Sequence, residues 1–117
     1  KLLVDGCHSM TSAKNLYNYL KTLNEPIYGI WGMQRNKLPE LFIKSFKNIF
    51  DKVVTLTIPN EPNAINAKKL KLIAQKYMPA NNAPDIETAL KILSSKEKKT
   101  IVVFGSLYLI GDVLNKN

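Results

Sequence analysis

Apolar residues in this chain fall into short continuous runs that alternate with stretches of helical spacing. The runs are Leu2-Leu3-Val4, then Pro26-Ile27-Tyr28-Gly29-Ile30-Trp31-Gly32, then Lys52-Val53-Val54-Thr55-Leu56-Thr57-Ile58 closed by Pro59, and finally Thr100 to Phe104. Short runs rich in β-branched and aromatic residues, bounded by turn residues, predict strands. Between the first two, Ala13, Leu16, Tyr17 and Leu20 recur at one-turn spacing and predict an amphipathic helix. Ser9 or Thr11 can cap it, and Asn24 ends it. Pro39 suits the first turn of a second helix, facing inward through Phe42, Phe46, Ile49 and Phe50. A third helix carries Ala67, Leu70, Ala74 and Tyr77, and Asp85 caps a fourth with Ile86, Ala89, Leu90 and Leu93. Leu107 to Leu114 predicts a last helix. Met33 to Lys37 and Asn60 to Asn66 read as loops, and Met78 to Pro84 as a loop or a short strand.

Strands that alternate with helices predict an α/β fold: a Rossmann-like, mostly parallel sheet with helices on both faces. At 117 residues, positions 1–117 make one domain. No tandem repeat or internal linker interrupts it. The chain opens on a strand with no methionine, so the expectation is a domain of a longer protein.

Composition narrows the partners. The net charge is +8, yet all the basic residues except Arg35 are lysines, scattered between apolar helix positions. Base and phosphate readers favour arginine's planar fork, so no nucleic-acid partner is expected. No apolar run approaches the roughly 20 residues of a membrane helix, and no secretory signal is visible. Cys7 is the only cysteine, so no internal disulfide can form, and a reducing, cytoplasmic setting is expected.

Candidate chemistry gathers at two strand-to-helix junctions, Asp5-Gly6-Cys7-His8-Ser9 and Gly105-Ser106-Leu107-Tyr108. Both lie at carboxyl ends of predicted strands, where open α/β sheets bind ligands. Asp5 can accept from a ribose diol or bind a cation; it can equally cap its own turn. His8 can donate to a phosphate or carboxylate, or simply pack. Ser106 can face a carboxylate or cap the last helix, and Tyr108 reads as core. Cys7 reads as a small structural residue, and no spacing suits a metal site. The chain has neither a Gly-x-x-x-x-Gly-Lys-Ser/Thr phosphate loop nor a Gly-x-Gly-x-x-Gly fingerprint, so it has no visible means of holding a triphosphate alone.

Asp5-Gly6-Cys7-His8-Ser9 resembles the Asp-Gly-Ala-His-Asn motif of folylpolyglutamate and dihydrofolate synthases. Gly105-Ser106-Leu107-Tyr108-Leu109-Ile110-Gly111 resembles their Gly-Ser-Leu-Tyr-Leu-x-Gly motif. Gly32-Met33 with Asn36-Lys37 resembles their Gly-Met-x-x-Asp-Lys-Asp segment. The order and spacing of the three match the carboxy-terminal domain of those enzymes, which belong to the Mur ligase superfamily. The resemblance implies an ATP-dependent amide ligase that adds L-glutamate to a folate or dihydropteroate through an acyl phosphate. It implies that ATP and magnesium are held mainly by an amino-terminal ATPase domain, the partner of this one. Carried over, Asp5 binds ATP on its ribose side, His8 is catalytic and sits near the transferring phosphate or incoming glutamate, and Ser106 belongs to the glutamate region. The isolated domain is expected to be inactive. Ser9 replaces asparagine, Met10 proline and Cys7 alanine, while Asn36 and Leu38 replace both acids of the Asp-Lys-Asp segment. These departures leave an alternative: a truncated or degenerate fragment that binds without catalysing.

Overall fold

A computed structural model describes residues 1–106 together with Leu109 and Gly111. The strands are β1 (Leu2–Val4), β2 (Ile27–Trp31), β3 (Lys52–Thr55), β4 (Ala80–Asn82) and β5 (Thr100–Phe104). They form one sheet in the order β1-β5-β2-β3-β4, with every neighbouring pair parallel. The helices are α1 (Met10–Leu20), α2 (Pro39–Lys44), α3 (Ala67–Ala74) and α4 (Ile86–Ile92).

Side chains alternate across a strand, so each strand feeds two cores. Ile27, Trp31, Val53, Val102 and Phe104 pack on one face with Leu16 and Leu20 of α1, Phe42 of α2 and Leu70 of α3. Ile30, Val54 and Val103 pack on the other with Ile86 and Ala89 of α4, and with Leu109. The chain steps outward from β1 to β2, β3 and β4 over the first face. It returns across the second through α4 and inserts β5 between β1 and β2. The sheet is therefore parallel and covered on both faces, as the alternation predicts.

Phe104 is the hub of the first core. Its ring centroid lies 5.1 Å from Phe50, 5.3 Å from Phe46 and 6.0 Å from Phe42. Gly29 makes room for them: a Cβ there would come 2.9 Å from Phe104 Cε1. Across the outer surface, Lys76 Nζ meets Glu40 Oε1 at 2.8 Å and holds the Glu40 carboxyl below its ordinary range. Exposed pairs of this kind add little stability.

The elements differ from expectation mostly at their ends. β3 stops at Thr55, three residues short of the apolar run. The chain turns there to meet α3: Thr55 Oγ1 donates to the Ala67 carbonyl (2.7 Å), and the Ala67 N–H donates to Thr57 Oγ1 (2.9 Å). α2 ends at Lys44, where the Ser45 hydroxyl donates to the Phe42 carbonyl (2.6 Å); Phe46 and Phe50 reach the core from the turns that follow. Tyr17 and Tyr77 are only half-buried, and the Tyr77 hydroxyl donates to exposed Glu40 Oε2 at 3.3 Å. The segment Met33 to Lys37 is more than a polar loop. Met33 is buried, Gln34 forms an antiparallel bridge with Ala64, and Arg35–Lys37 is a 3-10 turn. The ambiguous stretch contains β4. Of the predicted last helix, Leu109 and Gly111 are helical; the rest, Tyr108 included, lies outside the described residues. No helix among the described residues is long and apolar enough to cross a membrane.

Candidate functional site

The carboxyl ends of β1, β5 and β2 lie side by side, and main-chain bonds tie together the segments that leave them. The Asp5 N–H donates to the Val103 carbonyl (2.9 Å), the Gly105 N–H to the Cys7 carbonyl (2.8 Å), and the Gly32 N–H to the Phe104 carbonyl (3.4 Å). The two junctions singled out from the sequence thus share one rim. After β1 the chain passes to α1 on the first face, whereas after β5 Leu109 packs on the second. Such a divergence between neighbouring strands opens the crevice in which open α/β sheets bind ligands.

Local chemistry shapes each loop. Asp5 is half-buried, and its Oδ1 accepts the Cys7 N–H at 2.8 Å in an aspartate turn. That leaves Oδ2, and the second lone pair of Oδ1, for a ligand. Ser9, and not Thr11, caps α1: its Oγ accepts the Ser12 N–H at 3.2 Å, and the Ser9 N–H donates to Ser12 Oγ at 3.1 Å. Serine in place of asparagine therefore preserves the helix start. The His8 N–H donates to Ser12 Oγ at 3.3 Å, and its ring is partly exposed, with Nδ1 buried. Gly105 has φ of +106°, a conformation that suits glycine. Ser106 follows it and is only 4% exposed.

Cys7 is buried in the first core. Burial pushes its thiol up to about 11; a hydrogen bond with Ser12 opposes the rise and the Asp5 carboxylate adds to it. A thiol that titrates higher when folded stabilises the fold fully below the unfolded value near 8.5, and the contribution fades as pH climbs toward 11. Alkylation by iodoacetamide at about pH 8 is expected to run about 100-fold slower in the native chain than in the urea-unfolded chain, read by mass spectrometry. Equal rates would show an accessible, reactive thiol.

The third motif segment sits on the same edge of the sheet, beyond β2. Leu38 occupies the N-cap of α2 with φ of +52° and supplies no side-chain cap, and it is largely exposed. Lys37 is half-buried, and Asn36 is exposed. Among the described residues no group of three His, Cys, Asp or Glu side chains is placed to hold a metal. Sequence reasoning passed over Trp31, read only as a strand residue. It ends β2 immediately before Gly32, and its indole edge abuts Gly105. A lone tryptophan at the carboxyl end of a strand, beside a glycine of a motif, was the available signal.

A doubly wound parallel sheet with glycine junctions meeting at its carboxyl rim defines a Rossmann-like α/β domain. Comparison with known proteins makes this specific. The family model described as dihydrofolate synthetase, C-terminal domain, matches residues 1–116, and the chain belongs to that family. The dihydrofolate synthetase of Saccharomyces cerevisiae is 25% identical over 126 residues, an alignment covering 97% of this chain and 30% of the yeast protein. Folylpolyglutamate synthase of Thermotoga maritima is 28% identical with a TM-score of 0.80, covering 95% of this chain and 26% of that one. Folylpolyglutamate synthase of Mycobacterium tuberculosis, solved with ADP and AMPPCP, has the same fold: TM-score 0.87 at 18% identity, over 98% of this chain and 29% of that one. The chain thus spans less than a third of the length of these relatives.

Proposed function

We propose that this chain is the single carboxy-terminal domain of an ATP-dependent ligase that adds L-glutamate to a folate or dihydropteroate. In that reaction a substrate carboxylate oxygen attacks the γ-phosphorus of ATP, and ADP leaves. The glutamate amine then attacks the acyl carbon, expels phosphate and forms the amide. The observation that carries the reading is the bond from Gly105 N–H to the Cys7 carbonyl, which brings both motif loops to one rim with Asp5 and His8 on it.

Each residue has a role suited to its surroundings. Asp5, fixed by the Cys7 N–H, offers its remaining carboxylate acceptors to the ATP ribose. His8, at the start of α1, donates to the transferring phosphoryl group or to a carboxylate of incoming glutamate. Ser106 shapes the glutamate side of the rim. Phosphoryl transfer depends on positioning and charge neutralisation, and a second domain that closes over the site shields the acyl phosphate from water. Magnesium, which neutralises the phosphates when bound, has no ligand set among the described residues here. The amino-terminal ATPase domain of the same enzyme is the partner that would supply it.

Asp5→Asn tests the assignment in the ligase that contains this domain. Asparagine keeps a carbonyl oxygen for the Cys7 N–H and removes the charge. A charge-assisted hydrogen bond is worth about 1.5–3 kcal/mol. The KM for ATP is therefore expected to rise roughly 10- to 150-fold while the melting temperature stays near wild type. An unchanged ATP dependence would remove Asp5 from the nucleotide site.

A further inference from the structure

Two buried side-chain nitrogens among the described residues have no hydrogen-bond partner: Trp31 Nε1 and His8 Nδ1. Trp31 abuts Gly105, and His8 is one residue from the main-chain partner of Gly105. Trp31 is wholly buried, and its Cδ1 and Nε1 lie 2.6 and 3.0 Å from the position a Cβ on Gly105 would take. His8 follows Cys7, whose carbonyl accepts the Gly105 N–H at 2.8 Å. Cys7 and Trp31 pack in the same core.

Buried polar groups are almost always paired, with protein or with an ordered water. The needs of these two are complementary. An indole nitrogen can only donate, while the imidazole Nδ1 accepts when the proton sits on Nε2. We propose that Trp31 is a positioning residue for His8, its indole N–H joined to His8 Nδ1 through one shared buried water. The water accepts from Trp31 and donates to His8. Which imidazole nitrogen carries the proton is set by the bond the other one makes. The link therefore holds His8 as the Nε2–H tautomer and keeps that N–H as the donor for an anionic group of the substrates. The purpose of the link rests on the functional reading of His8 given above; the link itself does not.

The chain has one histidine and one tryptophan, so nitrogen-15 NMR of the side-chain nitrogens is free of assignment ambiguity. The experiment uses the full chain at about pH 8.5, well above the ordinary titration range of imidazole. Wild type is expected to show a single tautomer, with unprotonated Nδ1 and protonated Nε2. The Trp31 indole N–H is expected to exchange slowly and to give a cross-peak to a bound water. Trp31→Phe keeps an aromatic ring in the core while removing the donor and part of the indole's volume, and it is expected to move both His8 nitrogen shifts toward a mixture of tautomers. A wild-type His8 protonated on Nδ1 would overturn the proposal, as would tautomers unchanged in Trp31→Phe. If Trp31→Phe does not fold, the wild-type spectrum decides alone: a fast-exchanging indole N–H with no water contact overturns the link. Mixed tautomers in Trp31→Phe beside normal turnover in His8→Ala would leave the link standing and remove only the catalytic reading of His8.

Discussion

Gly105→Ala is expected to destabilise the chain by about 3–5 kcal/mol. Two costs coincide there. A φ of +106° strains any residue with a Cβ. The Cβ itself would lie 2.2 Å from the Gly32 carbonyl oxygen and 2.6 Å from Trp31 Cδ1. Neither neighbour can yield cheaply. Gly32 is held by its own N–H bond to the Phe104 carbonyl, and Trp31 is packed against Phe42 with ring centroids 6.3 Å apart. With a urea m-value of about 1–3 kcal/mol/M, the unfolding midpoint should fall by at least about 1 M. The bond from the position-105 N–H to the Cys7 carbonyl should weaken with it, so amide exchange at position 105 should accelerate more than at the centre of β2. A midpoint within about 0.3 M of wild type would mean that the junction relaxes freely and that glycine is not required.

His8→Ala is expected to lower kcat of the intact ligase by about 10²- to 10³-fold, the range for removing one donor aimed at developing charge. The KM for ATP should change little, because the proposed ribose contact belongs to Asp5. Stability should barely move. The cap of α1 is made by Ser9 and Ser12 and survives the change, as does the His8 backbone N–H bond to Ser12 Oγ. Activity and stability should therefore separate. Wild-type turnover with a lowered melting temperature would make His8 a packing residue.

The sequence was most legible where one periodicity dominated. The Ala13, Leu16 and Leu20 stripe, the Asp85 cap and the apolar β5 run all appear as read. Asp85 accepts the Thr88 N–H at 2.7 Å, a contact that the Asp-x-x-Thr spacing already implies. Boundaries were lost where tertiary bonds compete with local preference. Thr57 and Ile58 have strand character, yet Thr57 serves α3 instead of a neighbouring strand. β4 was half-hidden because Ala80-Asn81-Asn82 has little β-propensity and is held by the ladder from β3. The two motif loops were visible as chemistry, and their sharing of one rim followed from the alternation of strands and helices. The contact between Trp31 and Gly105 was not visible. Linear order gives no sign that an indole ending β2 would reach across β5 to the glycine that follows it.

The placement of β5 governs how this domain can form. β5, the last strand among the described residues, lies between β1 and β2, so β1 gains its described strand neighbour only when residues some 100 positions later arrive. Local pairing cannot assemble the rim piecemeal, and closing so long a loop carries an entropic cost before any contact rewards it. A ribosome-bound chain ending before Thr100 should hold β2, β3 and β4 with their helices while β1 stays unpaired. The shared rim then forms in one late, cooperative step.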